Sequence, residues 1–127
     1  MSRASDKPST TWAPSTATVG GKPTWTLARD SAQNLPLMLQ CCEAELRNMA
    51  DHGVVAAPFY FERVAILLRK AKRYKEEVEM CERYAGAIEQ YYQETSSLEQ
   101  ADVRQSPWYR ELPARLAKAR ALLSTSG

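Results

Sequence analysis

The sequence predicts an all-α fold, a small helical bundle of four or five helices behind a flexible N-terminal arm. Three observations predict it. After residue 30 the apolar residues recur at three- and four-residue steps and do not alternate. Pro36, Gly53, Pro58, Pro107 and Pro113 fall where helices start or stop. Before residue 30 there is no helical period, only many Ser and Thr with Pro8, Pro14, Pro23 and the pair Gly20-Gly21.

Residues 1–29 have too few apolar groups to offset the entropy of ordering them, so a largely disordered arm is expected. Trp12 and Trp25 are unusual in such a tail, and Trp25 is a candidate for docking on the domain. A weak hairpin about Gly20-Gly21 is the alternative. The first predicted helix runs from about Ser31 to Ala50. Asp30 would be its N-cap, with Gln33 in the capping-box position, or else Asn34 begins it with Pro36 in the first turn. Leu35, Leu39, Cys42, Leu46 and Met49 form its stripe, and Gly53 stops it. A second helix spans Pro58 to Ala71, with Phe61, Val64, Ala65 and Leu68 on one face. After a turn at Lys72-Arg73 a third continues to about Gln93, striped by Tyr74, Val78, Cys81, Tyr84 or Ala85, Ile88 and Tyr91 or Tyr92. Glu94 to Gln105 reads as a polar loop. Ser106-Pro107 suits the N-cap and first position of a short turn holding Trp108 and Tyr109, and Pro113 begins a last helix with Leu112, Leu116, Ala119 and Leu123 on one face. The expected organisation is therefore an arm over 1–29, a helical domain over 30–123 and a tail over 124–127.

The chain of 127 residues carries 17 basic and 15 acidic side chains, a net charge of +2, which gives no whole-chain electrostatic case for nucleic acid or anionic membrane. No apolar run approaches the roughly twenty residues that span a bilayer, so no membrane is expected. Cys41, Cys42 and Cys81 are odd in number and lack CxxC spacing, and no secretory h-region is visible at the N-terminus. They read as small core hydrophobes in a soluble, cytoplasmic protein.

Local clusters are the remaining candidates. Arg69, Lys70, Lys72, Arg73 and Lys75 could grip phosphates. They also suit a helix C-terminus, and Glu76, Glu77, Glu79 and Glu82 follow to neutralise them, with Lys75–Glu79 and Lys72–Glu76 as neighbour pairs. Arg104, Arg110, Arg115, Lys118 and Arg120, interleaved with Trp108 and Tyr109, form a second patch. His52, the one histidine, sits at a helix end, where it complements the dipole. The carboxylates fall on helical positions expected to be exposed, with no acid–base pair on an apolar face. There is no phosphate loop and no dinucleotide fingerprint. No enzyme, cofactor or metal site is expected. Consecutive aromatics at Phe59, Tyr60 and Phe61, and again at Tyr91 and Tyr92, cannot all point inward on a helix, so some are expected at the surface.

Residues 58–92 resemble one tetratricopeptide repeat. Val64-Ala65 stands where that family has Leu-Gly, Leu68 at its Tyr, Lys72 at the turn Gly, Tyr74 at the Tyr opening the second helix, and Cys81 at a later aromatic. Glu77 replaces the small Ala, and no Pro ends the repeat. The resemblance implies an antiparallel hairpin, right-handed helix stacking and a binding surface, and it carries over no catalytic residue. One such hairpin cannot bury its own apolar faces, so neighbouring helices must cap it. The expected role is a non-enzymatic protein–protein interaction module of adaptor, chaperone or inhibitor type, with homo-oligomerisation open to it. Its candidate contact residues are Trp12, Trp25, Phe59, Tyr60, Arg69, Lys72, Arg73, Tyr91, Tyr92, Trp108 and Tyr109. The alternative is a nucleic-acid-binding or regulatory factor using the Arg/Lys patches.

Overall fold

Gly20 and Gly21 have positive φ, 57° and 81°, the backbone a two-residue hairpin turn demands. In a computed structural model that describes residues 17–95 and 102–126, they reverse the chain between β1 (Thr18–Val19) and β2 (Lys22–Pro23). The pair is antiparallel, with Thr18 opposite Pro23 and Val19 opposite Lys22. Helix α1 (Thr24–Ser31) follows at once, and its Thr24 N–H donates to the Ala17 carbonyl at 3.1 Å. The expected arm is thus corrected over residues 17–29, which form the hairpin and most of a helix. Composition could not show the reason: Thr24 and Leu27 are buried against the domain. Trp25 is not the docked residue, being 57% exposed. Trp12 and the rest of residues 1–16 lie outside the described residues.

Helix α2 (Leu35–His52) starts at the second of the two expected positions. Asn34 Oδ1 accepts from the Leu37 N–H at 3.0 Å and Pro36 sits in the first turn, while Asp30 belongs to α1 and pairs with Arg29. Gly53, at φ 71°, caps its C-terminus by donating to the Met49 carbonyl. An extended segment then buries Val55 and Ala56 before α3 (Pro58–Lys70).

Two hydrogen bonds, Lys72 N–H to the Arg69 carbonyl and Arg73 N–H to the Leu68 carbonyl, both 2.9 Å, form the Schellman turn into α4 (Tyr74–Thr95). A 3-10 turn (Val103–Gln105) is opened by Asp102, and α5 (Pro107–Arg110) by Ser106, whose Oγ accepts from the Tyr109 N–H. Helix α6 (Leu112–Ser126) closes the described chain. The expected tail is corrected too, because the helix runs on through residues 124–126, Thr125 donating back to the Leu122 carbonyl.

The described structure is mostly helical, and its only sheet is the two-stranded hairpin. Phe61 lies against Tyr84 and Arg69 against Glu77, so α3 and α4 are antiparallel. Glu43 meets Arg83 and Gly53 meets Tyr91, so α2 and α4 run parallel on either side of α3. The core centres on Tyr84. Its ring stacks on Phe61 at 4.2 Å, Trp108 closes in at 5.6 Å, and its hydroxyl donates to the Ala56 carbonyl at 3.0 Å.

Lys72 occupies the left-handed position of the Schellman turn at φ 60°, where a Cβ is disfavoured. Lys72→Gly is therefore expected to stabilise the protein by about 0.5–1 kcal/mol, read as a higher urea midpoint at unchanged m.

Candidate interaction groove and the buried carboxylates

Most of the sequence-predicted contact residues are internal. Tyr60, Tyr92 and Trp108 are buried, which removes them as surface anchors. The Tyr92 hydroxyl accepts from the Val103 N–H at 3.1 Å, and the Arg104 guanidinium lies 4.4 Å over its ring. Tyr109, partly buried, donates to Glu89 at 2.9 Å. Trp25 and Phe59 are exposed large apolar residues, Phe59 at 42% with its ring edge-on to Tyr60. Tyr91 is half-buried, and its hydroxyl donates to the Gly53 carbonyl at 2.9 Å.

The basic patches are interspersed with acid. Arg73 forks onto Glu76 with two 2.6 Å bonds, Lys75 meets Glu79, and Arg120 meets Glu82. Arg104 grips Asp102 and reaches Glu89. The predicted partner for Lys72, Glu76, is taken by Arg73, and Lys72 stands exposed with Lys70 and Lys118. Arg69 does not face solvent as a free cation. Its guanidinium lies on Glu77, with Nε–Oε1 at 3.1 Å and Nη2–Oε2 at 2.9 Å.

The expectation that carboxylates are exposed fails at Glu77 and Glu45. Glu77 is fully buried on α4, held between Arg69 of α3 and Arg115 of α6, and Arg69 also donates to the Arg115 carbonyl at 3.2 Å. Glu45 is buried on α2. Its carboxylate accepts the Thr24 hydroxyl at 2.8 Å and the Ala57 N–H at 3.3 Å, fastening α1 and the segment before α3 to α2. The overlooked signal was position. Glu77 lies four residues before Cys81 and Glu45 four after Cys41, each on its helix's apolar stripe.

Cys41, Cys42 and Cys81 are buried free thiols. Burial pushes Cys41 and Cys81 up to about 11, with nearby Glu45 and Glu77 adding to it, and pushes Cys42 up further. His52 is exposed at the end of α2. Among the described residues no three of His, Cys, Asp and Glu group as a metal site.

The feature the sequence did not disclose lies between the parallel helices α2 and α4. Leu46, Met49 and Ala50 of α2 and Ala87 of α4 form the floor of an open groove of about 480 Å³. Arg83, Gln90 and Glu94 rim it. The Arg83–Glu43 ion pair, Nη2–Oε1 2.8 Å, spans one end and the Tyr91–Gly53 hydrogen bond the other. Beyond Arg83 a second hollow of about 240 Å³ continues along Leu39, Leu68 and Met80, with Glu76 and Glu79 at its mouth. Small residues at 50, 53 and 87 keep the two helices from closing on each other. Gly86, beside Ala87, is open to solvent, with nothing within 4 Å of where a Cβ would stand.

No family model, curated protein or solved structure matches this chain.

Removing the Glu77 carboxylate would leave two guanidinium groups facing each other beside a desolvated gap. Glu77→Ala is expected to cost about 3 kcal/mol, and the further change Arg115→Met should recover part of it, both read by urea denaturation. At pH 8 a thiol near 11 is roughly one part in a thousand thiolate, so native protein should resist an aromatic disulfide reagent and unfolded protein should titrate three thiols. The raised folded values also set a pH dependence. Unfolded thiols ionise near 9 and the native ones near 11, so stability is full below about 9 and falls as pH rises from 9 to 11.

Proposed function

We propose that this protein is a non-enzymatic interaction module that takes an amphipathic helix or peptide of a partner protein into the α2–α4 groove. The observation that carries this reading is the groove itself, with its apolar floor of Leu46, Met49, Ala50 and Ala87 under the charged rim of Arg83 and Glu94. Two parallel helices with small residues between them accept a third in the way helix-in-groove recognition works. The exposed Phe59 and Trp25 are secondary contacts in this reading. The α3–α4 hairpin is read as a repeat-like unit, its turn residue Lys72 taking the left-handed conformation that the repeat family gives to glycine. Capped by α2 and α6, it leaves one side of α4 free for a partner.

The nucleic-acid alternative is the weaker reading, because Glu76, Glu77, Glu79 and Glu82 are threaded among the arginines that would have to hold phosphates. No helix among the described residues is long and apolar enough to cross a membrane. The free, buried thiols fit a reducing compartment such as the cytoplasm.

Affinity capture from the native host with wild-type protein and with Ala50→Glu and Ala87→Glu tests the reading. Both substitutions lie on the groove floor away from the Tyr84 core, and circular dichroism would verify folding. A charge on the floor is expected to lower recovery of the captured partner about tenfold or more. Equal recovery by wild type and both variants would sink the groove as the binding site.

A further inference from the structure

The nearest unplaced indole to the groove belongs to the same chain. Ala17, where the described residues begin, is buried. With Thr18 it lies beside Ala44, Arg47, Asn48, Asp51 and His52, on one flank of the last turns of α2. The groove opens on another flank of those same turns, at Leu46, Met49, Ala50 and Gly53. Passing from one flank to the other means crossing a helix about 10 Å wide. Trp12 is five residues before Ala17, a span of up to about 17 Å when extended. Pro14 lies in that stretch and favours extended backbone for the residue before it. Trp12 can therefore reach the groove. Trp25 is fixed on α1 with Arg29 over its ring at 5.7 Å, and Trp108 is in the core.

The chemistry of the groove suits an indole. A volume of about 480 Å³ admits the ring, and Leu46 and Ala87 offer apolar walls. Met49 adds a thioether, which packs well against aromatic rings. The Glu94 carboxylate and the Gln90 amide at the rim can accept the indole N–H. Arg3 and Lys7, against Asp6 alone, give residues 1–11 a basic balance that suits the Glu94 end. A short tether raises the local concentration of Trp12 to the order of millimolar, so even a weak intrinsic affinity for indole fills the site.

We propose that Trp12 docks its indole in the α2–α4 groove of its own chain, so that a partner must displace it to bind. The proposal rests on the reading of that groove as the binding site, but its test needs no partner. The full chain is labelled with 13C at the Met and Ala methyl groups and examined by NMR for Overhauser contacts from the Trp12 ring to the Met49 and Ala87 methyls. The expected result is contacts to both, lost in Ala87→Glu and in Trp12→Ala, and unchanged on tenfold dilution. Absence of the contacts overturns the proposal, as does their survival in Ala87→Glu. Contacts that appear between labelled and unlabelled molecules in a mixed sample also overturn it, in favour of a second copy as occupant. If capture of a partner ignores Ala50→Glu and Ala87→Glu while the Trp12 contacts are present, the partner reading fails and the intrachain docking stands.

Discussion

The arrangement depends on one buried carboxylate. Glu77 has no solvent of its own, and the donors around it come from helices on both sides, Arg69 of α3 and Arg115 of α6. A desolvated carboxylate tolerates little displacement of its cations, since the cost of burying it is offset only while both guanidinium groups stay in place. The bond from Arg69 to the Arg115 carbonyl ties the backbone of α6 into the same cluster. Apolar packing between α4 and α6 could slide by a fraction of a turn at modest cost, and the ion cluster makes such slippage expensive. Because α4 is also one wall of the groove, the cluster fixes that wall from behind.

Glu45 does related work at the other side of the bundle with different chemistry. No cation meets it among the described residues, only the Thr24 hydroxyl and the Ala57 amide. Neutral donors hold a carboxylate less firmly than guanidinium groups do. The two acids therefore divide the molecule. Glu77 fixes the C-terminal helix onto the central α3–α4 hairpin, and Glu45 fastens the N-terminal hairpin and α1 to α2 with weaker bonds.

What was legible in the sequence was what local forces decide. The Asn34 cap, the Gly53 stop and the Ser106-Pro107 start each act within one turn of chain, and the structure has all three. The all-α class followed from periodicity that any reading of residues 31–123 would find. The misreadings share a cause: each depended on a contact across the fold. Residues 17–29 look structureless until Thr24 is seen beside Glu45, 21 residues on. Glu77 looks like a surface acid until Arg115 arrives from 38 residues away. The aromatic residues looked like surface anchors because the sequence counts them without saying that Tyr60, Tyr92 and Trp108 turn inward. The groove left no local trace because its walls are helices separated by α3, and its width comes from what is small at positions 50, 53 and 87.

The separation between Glu77 and its second arginine has a consequence for how the molecule is made. A ribosome releases Glu77 long before Arg115 is polymerised. During that interval the nascent α4 carries an acid on its apolar stripe with Arg69 as its single cation, and the Cys81–Tyr84 face that α6 and Trp108 will cover is bare. Helix α4 therefore cannot settle into its final surroundings while translation is under way, although α1 to α3, whose contacts lie within the first seventy residues, can assemble ahead of it. The last helix to be synthesised is the one that locks the bundle, which makes completion of the chain itself the event that commits it to its fold.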